Sequence, residues 1–394
     1  MKKIIQQAFF QLRNQPLLSV ITVLGTALAI ALIMVILIVY QAKTADYAPE
    51  VNRSRSLYVK WERTVYDKKD PNSAGHSRPS LWLVKEIFYP LTTPEAVTAT
   101  YEGGEVLVGT VGSDEEMNTP LMLTDAAFWK VYQFRFLAGK PFTEADFQSG
   151  MKQAVIAKSV ARRLFGGVEN AIGKDILVNF AAYTVCGVVD DVNRFCEFTW
   201  SEVYAPYTSN AIASEAEAGQ TSGNNVITIL ARSTDDFDAI RNEVARGVAQ
   251  INTTLGDMEL QLMGQPDNFR MQLNRKFANQ YENLNANFWK YGIMILIILL
   301  VPAINLSGLT NTRMRRRLEE LGIRKAFGAT RNELVWQVLN ENLVLTVMGG
   351  LLGLALAYLF LWLMSDWLLQ TVWGATATMN ASMVSPCLLY TSDA

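Results

Sequence analysis

Between Leu17 and Tyr40 the chain carries no charged residue, and two further uncharged apolar runs follow at Tyr291–Leu309 and Leu343–Ser365. At about 1.5 Å of rise per residue, a helix over the first run is long enough to cross the ~30 Å hydrocarbon layer of a bilayer with some tilt. Buried core helices of a soluble protein are the alternative, and uncharged runs of this length fit that reading poorly. Apolar residues make up 50% of the 394-residue chain, more than a soluble domain needs, and they concentrate in these runs. We therefore expect an α-helical membrane protein with transmembrane helices at 17–40, 291–309 and 343–369.

The first run follows Lys2 and Lys3, as in a secretory signal. It is too long for a signal's apolar segment, however, and QAKTADYA offers no small-x-small cleavage site, so it reads as an uncleaved anchor. Ahead of it, Ile4, Ile5, Ala8, Phe9 and Leu12 share one helical face, and Pro16 closes the segment. Residues 1–16 thus suit an interfacial amphipathic helix lying on membrane lipid. Orientation follows from the basic residues. Lys2, Lys3 and Arg13 precede the first run, and Arg313, Arg315, Arg316, Arg317, Arg324, Lys325 and Arg331 lie between the second and third. The positive-inside rule places both segments in the cytoplasm, leaving 41–290 and the tail outside. A net charge of −2 gives no reason to expect a nucleic-acid partner.

Residues 41–265 are long enough for a domain with its own core, and their pattern is mixed. Gln153–Ile156 reads as a strand, Ser159–Phe165 as a helix, and Asp175–Asn179 with Tyr183–Val189 as a hairpin. NVITILA (225–231) reads as another strand. Phe237, Ile240, Val244, Val248 and Ile251 then recur at helical spacing, and Met258–Met263 returns to strand. That order is a β-α-β unit of an α+β extracytoplasmic domain. Polar stretches Asp67–Ser80 and Ser214–Asn225 read as surface loops.

Catalytic chemistry finds little footing. The only histidine, His76, reads as a solvated loop residue, and the neighbouring carboxylates Asp190 and Asp191 would point to opposite faces of a strand. FGGVENAIGKD superficially suggests a phosphate loop, but its glycine spacing is wrong and Asp175 stands where Ser or Thr would ligate magnesium. We expect no catalytic residue, no metal site and no cofactor bound by this chain. Cys186 and Cys196 show no metal-ligand spacing; a disulfide and two free thiols remain equal alternatives.

From Phe269, apolar or aromatic residues recur at Leu273, Phe277, Tyr281, Leu284 and Phe288. No Gly or Pro intervenes between Pro266 and Gly292, so 266–290 reads as a continuous amphipathic stalk helix feeding the second span. The alternative is a surface helix of the mixed domain.

The stretch between the second and third runs, 310–342, is patterned beyond what anchoring requires. Met314, Leu318 and Leu321 share a helical face, with Gly322 read as the stop; Gly328 ends a second short piece; Thr330 and Glu333 have capping-box form. Topology explains the arginines. It does not explain why Glu319 and Glu320 interrupt them, why two glycines punctuate, or why Ile323 and Phe327 are apolar. A knob that fits a cleft on a partner explains all three.

EELGIRKAFGATRNELVWQVLNENL resembles the hallmark of MacB/FtsX-type ABC transporter permeases (type VII), with Glu320, Gly322, Arg324, Lys325, Gly328 and Ala329 at motif positions. Phe327 departs from the smaller aliphatic that is usual there. FLAGKPFTEADF, AVIAKSVARRLFG, AIGKDI and YTVCGVVDDV are similar in order and spacing to the family's extracytoplasmic core domain. The resemblance implies a multi-pass permease subunit of the bacterial inner membrane, paired with itself or a second permease. ATP and Mg would bind a separate ABC ATPase that docks on Glu319, Glu320, Gly322, Ile323, Arg324, Lys325, Phe327, Gly328, Ala329 and Arg331. Motion would pass by mechanotransmission through the stalk to drive export or efflux of a peptide, lipoprotein or antimicrobial, with a periplasmic adaptor as a further partner. Gly25 with Ala29, and Gly349 with Gly353, are candidates for close helix packing. Members of the family have four spans where this chain offers three. CLLYTSDA, from Cys387, bears no likeness to them, and we expect a chain cut before its fourth span with an artefactual end. The alternatives are an FtsX-like regulator of a cell-wall hydrolase and a membrane-anchored sensor without an ATPase.

Overall fold

The computed structural model describes residues 16–275 except 111 and 113–115, together with 277–278, 289, 292–294, 296–297, 300, 322–323, 325–328 and 330–368. The interfacial helix expected ahead of Pro16, most of the second apolar run and the tail after Leu368 lie outside the described residues. The chain forms two units, Thr44–Glu282 and the remainder, Met1–Lys43 with Asn283–Ala394.

The smaller described part is helical. One helix runs Pro16–Thr44, with Pro16 at its first turn, where a missing N–H is harmless and the fixed φ is already helical. A longer one runs Arg331–Leu368. A Cβ on Gly349 would stand 2.8 Å from Thr26 Cβ and 3.2 Å from the Val23 carbonyl oxygen; one on Gly353 would stand 2.6 Å from the Ala27 carbonyl oxygen. Later residues of one helix meet later residues of the other, so the two run parallel. Ala31, Val35 and Ile38 then pack with Ala357 and Leu361. At this seam Thr26 and Ala27 make the approach, Ala29 is half-buried, and among the described residues Gly25 meets nothing within 4 Å. Away from the seam large apolar side chains face outward, among them Leu28 (64% exposed), Leu351 (68%) and Leu363 (62%). Among the described residues no helix is long and apolar enough to cross a membrane.

The other unit is α+β. Its strands are β1 Ser56–Val59, β2 Glu62–Val65, β3 Ala74–Pro79, β4 Ala96–Thr110, β5 Glu116–Thr124, β6 Phe136–Gly139 and β7 Gln153–Ala157. They continue as β8 Asp175–Val178, β9 Ala181–Val189, β10 Val203–Pro206, β11 Ser222–Gly223, β12 Asn225–Leu230, β13 Glu259–Gln261 and β14 Asp267–Asn268. One sheet runs β14-β1-β12-β4-β5-β10-β7-β9-β6, and β8 joins β9 to β4. The pairings β4–β5–β10–β7–β9–β8 thereby return to β4 and close a ring. This is possible because β4 is long and bends: its register with β5 shifts between Glu102 and Glu105, where Gly104 takes φ 71°. Its first half pairs with β12 and its second with β8. Val226, Ile227, Ile229 and Leu230 of β12 are buried together with Leu57, Tyr58 and Val59 of β1, as their β-branched and apolar runs demand.

The expected hairpin over 175–189 is present. Val178 pairs with Ala181, which leaves Asn179 (φ 45°) and Phe180 (φ 68°) as a two-residue turn of the hand that matches strand twist. The helix at Lys158–Phe165 ends at Gly166, whose φ of 69° makes it a left-handed cap, so FGGVENAIGKD is a helix stop and turn. The helix Phe237–Thr254 matches its periodicity and buries Ile240, Val244 and Ile251. The β-α-β reading needs correction in one respect. β12 belongs to the large sheet, whereas β13 belongs to a second sheet, β11-β3-β2-β13, so the helix passes between sheets. The loop readings also change: Ala74–Pro79 is β3, antiparallel to β2, and Ser222–Gly223 pairs with β3.

Candidate functional site

The described part of the coupling segment is a short exposed turn. Gly322, Ile323, Lys325 and Ala326 are helical, so Gly322 is not a left-handed cap. The stop is Gly328, with φ 93°, a conformation costing any other L-residue roughly 1–2 kcal/mol. The Phe327 amide donates to the Ile323 carbonyl at 3.1 Å and the Gly328 amide to that of Lys325 at 3.1 Å. This turn presents Phe327 at 88% exposure beside Ile323 at 58%. The helix from Arg331 begins immediately after Thr330, and the Leu334 amide donates to the Thr330 carbonyl at 3.3 Å. Arg331 is exposed; Glu319, Glu320, Arg324 and Ala329 lie outside the described residues.

The stalk expectation meets a break. The helix after β14 covers only Phe269–Asn274, and Arg275 is extended at φ −78°, ψ 116°. The cause is electrostatic. Arg275 folds back so that its guanidinium grips both carboxylate oxygens of buried Asp267, and its Nη2 also donates to the Met263 carbonyl at 3.1 Å. Burial pushes the Asp267 carboxyl up while Arg275 pulls it down. Leu273 is part-exposed, and Phe277, past the break, lies 6.0 Å from the Trp61 ring. Tyr281, Leu284 and Phe288 lie outside the described residues.

A second buried ion pair sits where the chain enters this unit. The Arg53 Nε donates to Glu50 at 2.8 Å, Nη1 to the Ala45 carbonyl at 2.7 Å and Nη2 to the Phe195 carbonyl at 2.9 Å. The other Glu50 oxygen accepts from the Phe198 amide and the Thr199 hydroxyl, each at 3.0 Å. Burial pushes the Glu50 carboxyl up, opposed by Arg53. Between the two ion pairs, Lys60 bonds Glu197 at 2.5 Å, and Gln272 donates to the same carboxylate at 3.4 Å. Sequence reading missed this root. Glu50 and Arg53 are three apart, which is a weak signal, and the Phe195 partner is 142 positions away.

The remaining sequence candidates stay apart. Asp190 neighbours Lys158 and Arg135, whereas Asp191 accepts from the Ser159 amide, so they share no site. His76 is exposed and opposite Arg63 on β3. Cys186 and Cys196 are free thiols; burial pushes Cys186 up to about 11 and Cys196 higher still. Among the described residues no cluster of His, Cys, Asp or Glu could hold a metal.

Comparison with known proteins finds two family domains along the chain. Residues 19–246 fit the MacB-like periplasmic core domain, and residues 292–390 fit the FtsX-like permease C-terminal domain. This chain belongs to the MacB/FtsX-type ABC transporter permease family. It is 23% identical over 345 residues to the uncharacterized ABC transporter permease YknZ of Bacillus subtilis, covering 86% of this chain and 81% of that one. It is 25% identical over 359 residues to the macrolide export ATP-binding/permease protein MacB of Wolinella succinogenes, covering 89% of this chain. The alignment spans 52% of that relative, about half its length. The solved extracellular domain of the noncanonic ABC-type transporter YknZ aligns over 52% of this chain and 99% of its own, at 19% identity and a TM-score of 0.38.

Proposed function

We propose that this permease relays ATP-driven motion of a separate ABC ATPase into its α+β unit, which acts outside the cytoplasm in export or efflux. The observation that carries the reading is the turn at Phe327–Gly328. An apolar side chain at 88% exposure, on a basic segment, is held out by a glycine in a conformation other residues resist. Phe327 with Ile323 would form the apolar centre of the surface that meets the ATPase. The acidic pair Glu319 and Glu320, with Ile323, Arg324, Lys325, Ala329 and Arg331, completes the docking patch.

The helix pair supports a membrane location in the same way. Outward Leu28, Leu351 and Leu363 suit lipid tails, and the seam uses small residues so that backbones approach closely. The two helices run parallel, which agrees with a first and third span that enter the membrane from the same side. Positive-inside orientation makes that side cytoplasmic. Pairing of two permease copies, and a periplasmic adaptor, belong to the same proposal. The cargo class is a peptide, lipoprotein or antimicrobial.

The test is co-purification of the full chain with a co-expressed ABC ATPase. Gly328→Trp, and the double change Arg324→Glu with Lys325→Glu, should each reduce retained ATPase by about tenfold or more while membrane insertion stays intact; truncating a hot-spot contact commonly costs that much. Retention equal to wild type in both variants would refute docking at this segment.

A further inference from the structure

The root of the α+β unit contains a buried guanidinium that touches three separate parts of the chain. Incoming residues supply the Ala45 carbonyl, Glu50 and the face of Tyr47, whose ring centroid lies 4.3 Å from Arg53 Cζ. The loop after β9 supplies the Phe195 carbonyl, and through Glu50 also the Phe198 amide and Thr199 hydroxyl. Outgoing residues supply the ring of Phe269, 4.8 Å from Cζ on the first turn of the helix that Arg275 terminates. Phe269 in turn meets Tyr58 at 5.7 Å, and Tyr58 stacks on Phe198 at 4.3 Å. Arg53 is 1% exposed.

We propose that Arg53 is a positioning residue that ties the incoming segment, the outgoing segment and the 195–199 loop into one body, so that displacement at either chain connection reaches the loop undivided. The proposal rests on the transmission reading, which requires motion to enter the unit through its two connections. The chemistry selects arginine. A planar fork donates in three directions while its faces lie against aromatic rings, whereas a lysine ammonium is a single point charge that cannot reach both carbonyls and the carboxylate. A residue serving only as core filler would not need its nitrogens distributed over 45, 50 and 195. An ordinary ion pair would not need the rings of both chain connections.

Hydrogen exchange of the full chain in lipid nanodiscs tests the tie. In Arg53→Lys, which keeps the charge opposite Glu50, amides in 45–50, 195–199 and 269–275 should all exchange faster, by about tenfold, as local opening of a linked element predicts. Amides of β4, β5 and β9 should be unchanged. Arg53→Met should give the same pattern more strongly, on the order of a hundredfold, because it leaves Glu50 buried and unpaired. Acceleration confined to 45–53, or spread equally over every strand, overturns the proposal. A second arm uses the full chain with its ATPase, trapped with ATP and vanadate. Wild type should change exchange at 269–275 and 195–199 together; Arg53→Lys should keep the first response and lose the second. A joint response surviving in Arg53→Lys overturns the tie. If trapping changes neither segment in wild type, the transmission reading fails, while the first arm still decides whether Arg53 holds the three segments together.

Discussion

Glu62 is buried, and its side-chain hydrogen-bond partners are hydroxyls. Thr64 Oγ1 donates to it at 2.7 Å, Ser77 Oγ at 2.5 Å and Ser222 Oγ at 3.3 Å, and among the described residues no lysine or arginine pairs with it. Burial pushes its carboxyl above the ordinary 4.5; the three hydroxyls and the charge of His76 pull the other way without prevailing. The folded state therefore holds the proton more tightly than the unfolded chain. The resulting stabilisation is complete below pH 4.5 and is lost as pH rises through the elevated folded value. Glu62→Gln keeps a neutral group of the same shape, so it should melt higher than wild type at pH 8 and lose that advantage at pH 4.5. The full chain in detergent reports this as a midpoint difference, about 2–4 °C for each ~1 kcal/mol. An equal midpoint difference at both pH values would show that Glu62 does not titrate in this way. The same residue illustrates what sequence conceals: nothing in WERTVY announces that its glutamate faces inward, because the partners that shelter it lie 15 and 160 positions away.

At the scale of elements, periodicity was readable and partnership was not. Phe237, Ile240, Val244 and Ile251 announce their helix, and the hairpin over 175–189 follows from its alternation. AGHSRP has no strand-like side chains, yet it is β3 because β2 offers a ladder for it, a tertiary effect that local propensity cannot report. The continuous helix expected over 266–290 is interrupted at Arg275 for a related reason. Arginine is a good helix former, and only the buried Asp267 eight residues earlier diverts it. The turn at Phe327–Gly328 was legible in part, since Gly328 stands where a positive φ is required, while Gly322, read as a stop, is itself helical. The helix seam yields a paired prediction. Gly353→Val places carbon against the Ala27 carbonyl and should lower the detergent melting midpoint, with overpacking costing about 1–3 kcal/mol. Gly25→Ala meets open space and should leave the midpoint unchanged or raise it. Equal loss in both would show that the seam does not set the helix distance.

For the whole molecule the central expectation is sidedness. His76 and Phe327 are both exposed, one in each unit, and the orientation expected from the basic residues would put them on opposite sides of a bilayer. With the native cysteines replaced by serine, His76→Cys should react with an impermeant maleimide on spheroplasts, and Phe327→Cys only after lysis. Labelling of Phe327→Cys on closed spheroplasts would invert the topology and end the ATPase-docking account.

The strand circuit through β4, β5, β10, β7, β9 and β8 has one more implication. A hoop offers no loose selvedge along its circumference, so another polypeptide seeking to add a strand finds openings mainly at the outer seams, β6, β14 and the margins of the small sheet. Those seams are brief, and β14 is a mere two residues with its aspartate already gripped. A body built this way is poorly suited to sticking to its neighbours by adding strands.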